Sequence, residues 1–208
     1  DSALLWLQNH LRRTWLTIFM KTATFLGNGG ILWIALCIIL LFFRETRFAA
    51  AAGFLALLCS VLVINALLKN LIGRDRPFNR IQDLIVLIKR PQDFSFPSGH
   101  TSSSFAVSTV FLCTLPFWFG LPALLIAFTI AFSRLYLGAH YPTDVLCGAI
   151  LGILFGTAAL YLLPLLLYAS WMPEGVQMFL DDKFAGSNPF ISYCYYSRLI
   201  YKKLYLSV

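Results

Sequence analysis

The stretch Phe96-Pro97-Ser98-Gly99-His100-Thr101-Ser102 joins a polar loop to a long apolar segment. Proline, serine and glycine ahead of a helix make an N-terminus suited to an anion. Ser98 can cap it, Gly99 lets the backbone approach a ligand, and the first N–H groups have no helical partner. His100 follows where a proton can be given or taken. Two further clusters carry matching chemistry. One runs from Lys69 to Pro77, with Lys69, Arg74, Asp75 and Arg76; the other runs from Ser133 to Asp144, with Arg134, His140 and Asp144. Lys brings a point charge and Arg a planar fork for phosphate oxygens. A lone Lys or Arg at mid-bilayer costs ~2.5–3.5 kcal/mol, so Lys69 and Arg134, which border apolar runs, belong at helix ends or in a watery pocket. Converging cations repel one another unless an anion joins them, and a dianionic phosphate does so.

The two histidines divide the work. Neutral imidazole is a nucleophile and imidazolium an acid, and both forms exist near neutrality. Asp144 lies four residues after His140, and Pro142 suits the first turn of a helix. Asp144 in that turn can orient the imidazole as a triad carboxylate does. His140 is therefore the candidate nucleophile and His100 the candidate donor to the leaving oxygen. Plainer readings stand beside these. Ser98 caps only, Asp144 offsets a helix dipole, Lys69 and Arg134 snorkel, and His100 is a satisfied buried histidine. Arg74, Arg80, Lys89 and Arg90 read as surface charge facing headgroups, with Asp75 paired to a neighbouring arginine. His10 receives no role.

The elements that must position these clusters are apolar. Of 208 residues, 59% are hydrophobic and 12% charged, about half the charged share of a soluble globule. The chain reads as an all-α integral-membrane helical bundle of about five transmembrane helices. The expected spans are Ile31–Phe43, Phe48–Leu68, Thr101–Phe119, Leu121–Tyr136 and Val145–Leu167, with Pro116, Gly120 and Pro122 dividing the long charge-free run. Pro164 falls near the end of the last span, and Trp171 is placed at the far interface. Ala3–Phe25 has Leu4, Leu7, Leu11, Trp15 and Ile18 at helical steps opposite Gln8, Asn9, Arg12 and Arg13, which predicts an interfacial helix closed by Gly27-Asn28-Gly29-Gly30. Between Arg74 and Phe96, the helical spacing of Ile81, Leu84, Ile85 and Ile88 suits a surface helix acting as a lid, or equally a solvated loop with one greasy side. The tail's Tyr193, Tyr195, Tyr196, Arg198, Tyr201, Lys202 and Lys203 suggest a surface helix. The whole is one domain: an interfacial segment 1–26, a core bundle 27–168 and a tail 169–208.

The formal net charge of +7 falls largely in short loops between apolar runs. Lipid phosphate is therefore the expected counterpart, and nucleic acid is not. Cys37, Cys59, Cys113 and Cys147 lie in separate apolar runs, with Cys194 in the tail, and read as packing residues. The three histidines lack metal-ligand spacing, so no metal is expected, and no cleavable signal peptide is expected either. Counting crossings places the Lys69–His100 loop, the Arg134–Asp144 loop and the N-terminus on one membrane face.

Lys69 to Pro77 fits K-x6-R-P, Pro97 to His100 is P-S-G-H, and Ser133 to Asp144 fits S-R-x5-H-x3-D. With every specified position present, the chain resembles the type 2 phosphatidic acid phosphatase superfamily over roughly Gly27–Leu167. The resemblance implies a lipid phosphatase without metal or other cofactor. His140 would form a phosphohistidine, Asp144 support it, and His100 protonate the leaving oxygen. Lys69, Arg76, Ser98, Gly99 and Arg134 would hold the phosphoryl oxygens. It also implies a site facing away from the cytoplasm with the tail inside. Soluble vanadate-dependent haloperoxidases share the signature, but the membrane spans argue against that branch. A compact chain without an N-x-S/T sequon suggests a bacterial membrane and undecaprenyl pyrophosphate as substrate. Phosphatidylglycerophosphate and phosphatidic acid are alternatives. A lipid phosphotransferase and a non-catalytic lipid-phosphate binder or transporter remain open, as does the oligomeric state.

Overall fold

The computed structural model describes residues 2–167, and every regular element among them is helical. In chain order these are α1 (Ser2–Leu11), α2 (Thr14–Leu26), α3 (Ile31–Leu41) and α4 (Arg47–Val61). A π-helical segment, Leu62–Leu68, leads into α5 (Lys69–Ile72). Then come α6 (Pro77–Arg80), α7 (Gly99–Thr114), α8 (Phe117–Tyr136) and α9 (Pro142–Leu167). The expected tail helix, Trp171 and Cys194 lie outside the described residues.

The central element is α7, which packs against α9, α8 and α4. Between its apolar residues it carries a run of small ones. Ser102, Ser104, Ala106 and Ser108 are fully buried along it, so neighbouring backbones can approach closely. Gly148, Gly152 and Gly156 of α9 face it at four-residue steps. A β-carbon at those positions would stand 2.7 Å from Ser98 O, 2.5 Å from Ser102 O and 2.5 Å from Ala106 O. Small residues at the seam replace the hydrophobic drive that helix pairs lack in lipid. The buried serines are satisfied across helices: Ser102 Oγ lies 2.8 Å from Ser60 Oγ, and Trp33 Nε1 donates to Ser104 Oγ at 2.9 Å. Trp33, Phe48, Val107 and Ile130 close the core around them.

The exterior is apolar. Leu58, Leu62, Leu125, Phe128, Ile150 and Leu154 are exposed along the helices. Phe42 and Phe43 after α3, and Phe117, Trp118 and Phe119 opening α8, are exposed at the end opposite the polar loops, as in an interfacial aromatic belt. The helices within Arg44–Arg80, Phe117–Tyr136 and Pro142–Pro164 are long and apolar enough to cross a bilayer, and α2 with α3, bent by 52°, qualifies as a further pair. The 20 residues of α8 extend about 30 Å, the thickness of a hydrocarbon core. The chain is thus a multi-pass membrane-type helical protein.

Several expected boundaries move. The long apolar run breaks at Leu115–Pro116 rather than at Gly120 or Pro122, and α8 continues through Pro122. Pro122 lies one turn inside the helix and removes the one ladder bond its own N–H would have made. The N-terminal segment is two helices rather than one. Arg13 is extended, its N–H donates to Tyr136 Oη at 3.3 Å, and Thr17 Oγ1 lies 2.8 Å from the same phenol. Leu4 is buried, whereas Trp15 and Ile18, expected on the same stripe, face outward, and α2 buries Met20, Ala23 and Thr24. No lid helix forms over residues 81–95. Leu84 packs between Leu4 and Tyr141 while Ile85 is exposed. Gln8 clamps the loop, donating to Asp83 O and accepting from Ile85 N–H. The predicted meeting of the N-terminus and both polar loops on one face holds.

Candidate active site

The polar loops meet over a cavity of about 720 Å³ lined by Lys69, Arg76, Gly99, His100, Arg134 and His140 together with Asp93, Asn65 and Asn28. Six of the eight predicted site residues therefore share one wall. Each arrives on a different element. Lys69 opens α5, just after the wider π-helical turns, which bring Asn65 to the same cavity; such turns recur at functional sites. Gly73 (φ 59°) ends α5 in the left-handed conformation open to glycine and turns the chain toward Arg76. Gly99 and His100 are the first turn of α7, Arg134 is in the last turn of α8, and His140 sits in the short connection to α9.

His140 is 1% exposed. Its Nδ1 lies 2.8 Å from the Ser95 carbonyl, an acceptor only, so Nδ1 must carry the proton and Nε2 the lone pair. Asp144 Oδ2 is 3.5 Å from the same Nδ1, beyond a good N–H···O bond; the Ser95 carbonyl is the hydrogen-bond partner and Asp144 a nearby charge. Nε2 faces Arg76 Nη1 at 3.3 Å. Burial pushes the imidazole down to about 3, and the Asp144 carboxylate, pulling upward, offsets only part of this. His140 is thus a neutral base with its lone pair beside a guanidinium.

Asp144, fully buried, collects donors: Tyr141 N–H at 2.9 Å, Arg74 Nη1 at 2.6 Å and the Ser95 hydroxyl. The Asp144 carbonyl accepts from Ser98 N–H at 3.0 Å, joining the start of α9 to the start of α7. Asp144 and Ser98 do not line the cavity; they stand behind its wall. Ser98 holds the N-cap position of α7 but makes no side-chain cap, because its hydroxyl accepts from Thr101 Oγ1 at 2.9 Å. The expected serine cap is replaced by that side-chain pair.

Three buried cations face the space. Arg76 donates from Nη1 to Ala139 O at 2.8 Å, from Nε to Asp93 O at 2.8 Å and from Nη2 to Asp93 Oδ1 at 2.7 Å. Lys69 Nζ pairs with Asp93 Oδ2. Burial works to raise the Asp93 carboxyl, but Lys69 and Arg76 outweigh it and bring it to about 2. Arg134 donates to Thr24 Oγ1 and has no carboxylate partner among the described residues; its buried Nε makes no hydrogen bond. Of these three buried cations it is the one without a carboxylate salt bridge among the described residues. His100 Nε2 lies 2.8 Å from Asn28 Oδ1, across the Asn28–Gly30 turn, where Gly29 (φ 59°) and Gly30 (φ 71°) make the bend between α2 and α3.

Sequence reasoning missed Asp93, Ser95 and Thr24, none of which lies in a recognisable pattern, read Asn28 only as part of a helix break, and misread Arg74. Far from facing headgroups, Arg74 bonds Asp144 and Thr143 and lies 4.1 Å over the Tyr141 ring. Its position two residues before Arg76 in non-helical chain was the available signal. Asp75 pairs with Arg80 as expected. Lys89 and Arg90 are exposed yet line the cavity.

Comparison with known proteins gives one family. The undecaprenyl-diphosphatase of Sulfolobus acidocaldarius is 31% identical over 120 residues, 58% of this chain and 58% of that protein. The lipid A 4'-phosphatase of Bacteroides thetaiotaomicron is 31% identical over 165 residues, 73% of this chain and 72% of that protein. The fold matches the crystal structure of a transmembrane PAP2-type phosphatidylglycerolphosphate phosphatase from Bacillus subtilis, with TM-score 0.64 and 30% identity over 76% of this chain and 81% of that one. Residues 49–167, from α4 through the cavity to the end of α9, match the PAP2 superfamily, and the chain belongs to that superfamily.

Proposed function

We propose that this membrane phosphatase removes the terminal phosphate of a membrane lipid through a phosphohistidine, with undecaprenyl pyrophosphate as the first substrate. The observation that carries the reading is the state of His140: its Nδ1 is held by the Ser95 carbonyl, and its Nε2 lone pair faces a cavity shared with three cations and a second histidine. The phosphoryl oxygens sit among Lys69, Arg76, Arg134 and the N–H groups of Gly99 and the start of α7. Ser98 acts from behind, fixing that start against Asp144. His140 Nε2 attacks phosphorus, an N–P bond forms, and the P–O bond to the lipid breaks as His100 gives its proton to the leaving oxygen. Water then attacks phosphorus, the N–P bond breaks, and His100 takes the water's proton. Preorganised positive charge supplies most of the rate.

In this reading α2 with α3 as one bent span, α4 with α5, α7, α8 and α9 make five crossings, α1 lies at the interface, and residues 1–208 form one domain with its tail inside. The site opens on the extracytoplasmic face of a bacterial membrane. Assay of the purified chain in detergent with EDTA, against undecaprenyl pyrophosphate, phosphatidylglycerophosphate, phosphatidic acid and a lipid A phosphate, tests the activity. Phosphate release that disappears in His140→Ala supports it; release from none of these lipids refutes it. Labelled lipid in place of free phosphate would reassign the enzyme as a phosphotransferase. A lipid A phosphate is the second substrate reading, favoured by the length of the match to the Bacteroides enzyme.

A further inference from the structure

Asp93 is out of place in a phosphate cup. Among the described residues it is the carboxylate lining a cavity otherwise built to attract anions, and its side chain is 51% exposed. One oxygen takes Lys69 and the other takes Arg76. Two oxygens of one group bridging these two cations is the arrangement a phosphoryl group would itself adopt. Asp93 also differs from Asp144. Asp144 is sealed in the wall by Tyr141, Ser95 and Arg74, whereas Asp93 rides on the non-helical segment between α6 and α7. Arg134 feels the charge of Asp93 but hydrogen-bonds Thr24 Oγ1 instead, so it is not held by the Asp93 oxygens.

We infer that Asp93 is a tethered competitor for the phosphoryl position and sets the site's preference for a dianionic terminal phosphate over the monoanionic phosphodiester headgroups around it. The inference rests on the phosphatase reading above. A cationic cup at the bilayer surface meets phosphodiester lipids at very high local concentration, and left bare it would fill with them. A tethered carboxylate has an effective concentration on the order of millimolar or more. A phosphodiester that displaces it exchanges one monoanion for another and gains little. A terminal phosphate carries a second charge and a third non-bridging oxygen, enough to engage Lys69, Arg76 and Arg134 together. Substrate entry therefore swings Asp93 away, while a diester leaves it in place. Asp93 thus acts on selection rather than on the chemical step.

The test is phosphate binding, read apart from turnover. The full chain, Asp93→Asn and Asp93→Ser are purified in a neutral detergent, and inorganic phosphate is titrated calorimetrically with and without phosphatidylglycerol in the micelle. Both variants should bind phosphate about tenfold more tightly than the parent, roughly the effect of one charged contact. Phosphatidylglycerol should compete in the variants and remain silent in the parent. Weaker phosphate binding in both variants would mean that Asp93 organises the cations, and would overturn the inference. So would phosphatidylglycerol that stays silent throughout. Phosphate binding by none of the three proteins would overturn the phosphatase reading itself, and this inference with it.

Discussion

Arg74 Nη1 donates to Asp144 Oδ1 at 2.6 Å, across seventy positions of sequence and behind the wall that holds His140. The arginine side chain is 37% exposed and the carboxylate is fully buried. Arg74 also donates to Thr143 Oγ1 at 2.7 Å, so it fixes the first turn of α9 at two points. Removing it leaves a buried carboxylate short of a charged donor, a loss of about 1.5–3 kcal/mol for such a bond, at the lower end because the arginine is partly solvated. Arg74→Gln should lower kcat about tenfold with little change in KM, and Arg74→Lys should recover part of it. Equal losses in both variants would show that charge near Asp144 is not what matters.

Asp144 invites comparison with the carboxylate of a serine-protease triad, and the structure separates the two. In a triad the carboxylate holds the Nδ1 proton, and its amide variant costs about 10⁴ in kcat through the wrong tautomer. Here the Nδ1 proton is held by the Ser95 carbonyl, which no side-chain substitution removes. Asp144→Asn should therefore keep the tautomer and cost about 10²-fold, well short of the triad value. His140→Ala should abolish turnover. Steady-state kcat for the two variants, with a phosphate-trapping assay for the phosphohistidine, decides between them.

Much of the site was legible because its members are chemically marked. Lys69 and Arg134 border long apolar runs where charge is expensive, so their presence called for a partner, and Arg76, His100 and His140 stand in the marked clusters beside them. The crossing count then put them on one face. Asp93 and Ser95 were not legible, since an acidic or hydroxyl residue in a polar loop is ordinary and only folding shows which cation it meets. Arg74 was lost because it looked like its exposed neighbours. In the fold, the break at Pro116 was marked but bracketed too widely, and of the π-helical turns before Lys69 only the polar Asn65 inside an apolar run gave a sign. The serines of α7 and the glycines at 148, 152 and 156 were both visible, yet their pairing is a three-dimensional fact.

The pH dependence should follow from His140. Its folded value is depressed to about 3 by burial, so the nucleophile is neutral between pH 5 and 7, and protonation of His140 does not produce an acidic limb in that range. A phosphomonoester loses its second proton near pH 6, about where a preference for the dianion would show. The acidic limb of kcat/KM should then move with the second ionisation of the substrate when lipid phosphates of different acidity are compared. A limb that stays at one pH for all of them would belong to the enzyme.

The glycine seam makes the last prediction. Gly152 faces Ser102 O so closely that a β-carbon would stand 2.5 Å from that oxygen and 2.8 Å from Phe105 Cβ. Both neighbours sit on the rigid core of α7, so α9 must retreat. The same two helices carry His100 and Asp144, and Asp144 is joined to Ser98 by a single backbone bond of 3.0 Å. Gly152→Ala should therefore do two things. Overpacking should lower stability by about 1–3 kcal/mol, read as an earlier thermal transition in detergent. The shift should also loosen the Ser98–Asp144 bond and reduce kcat at temperatures where the bundle is still folded, although residue 152 is two turns from Asp144. Ala158, on the same helix but only half-buried, is the control: Ala158→Gly should leave kcat unchanged. If Gly152→Ala melts early yet keeps full kcat below its transition, the seam holds the bundle together without setting the geometry of the site.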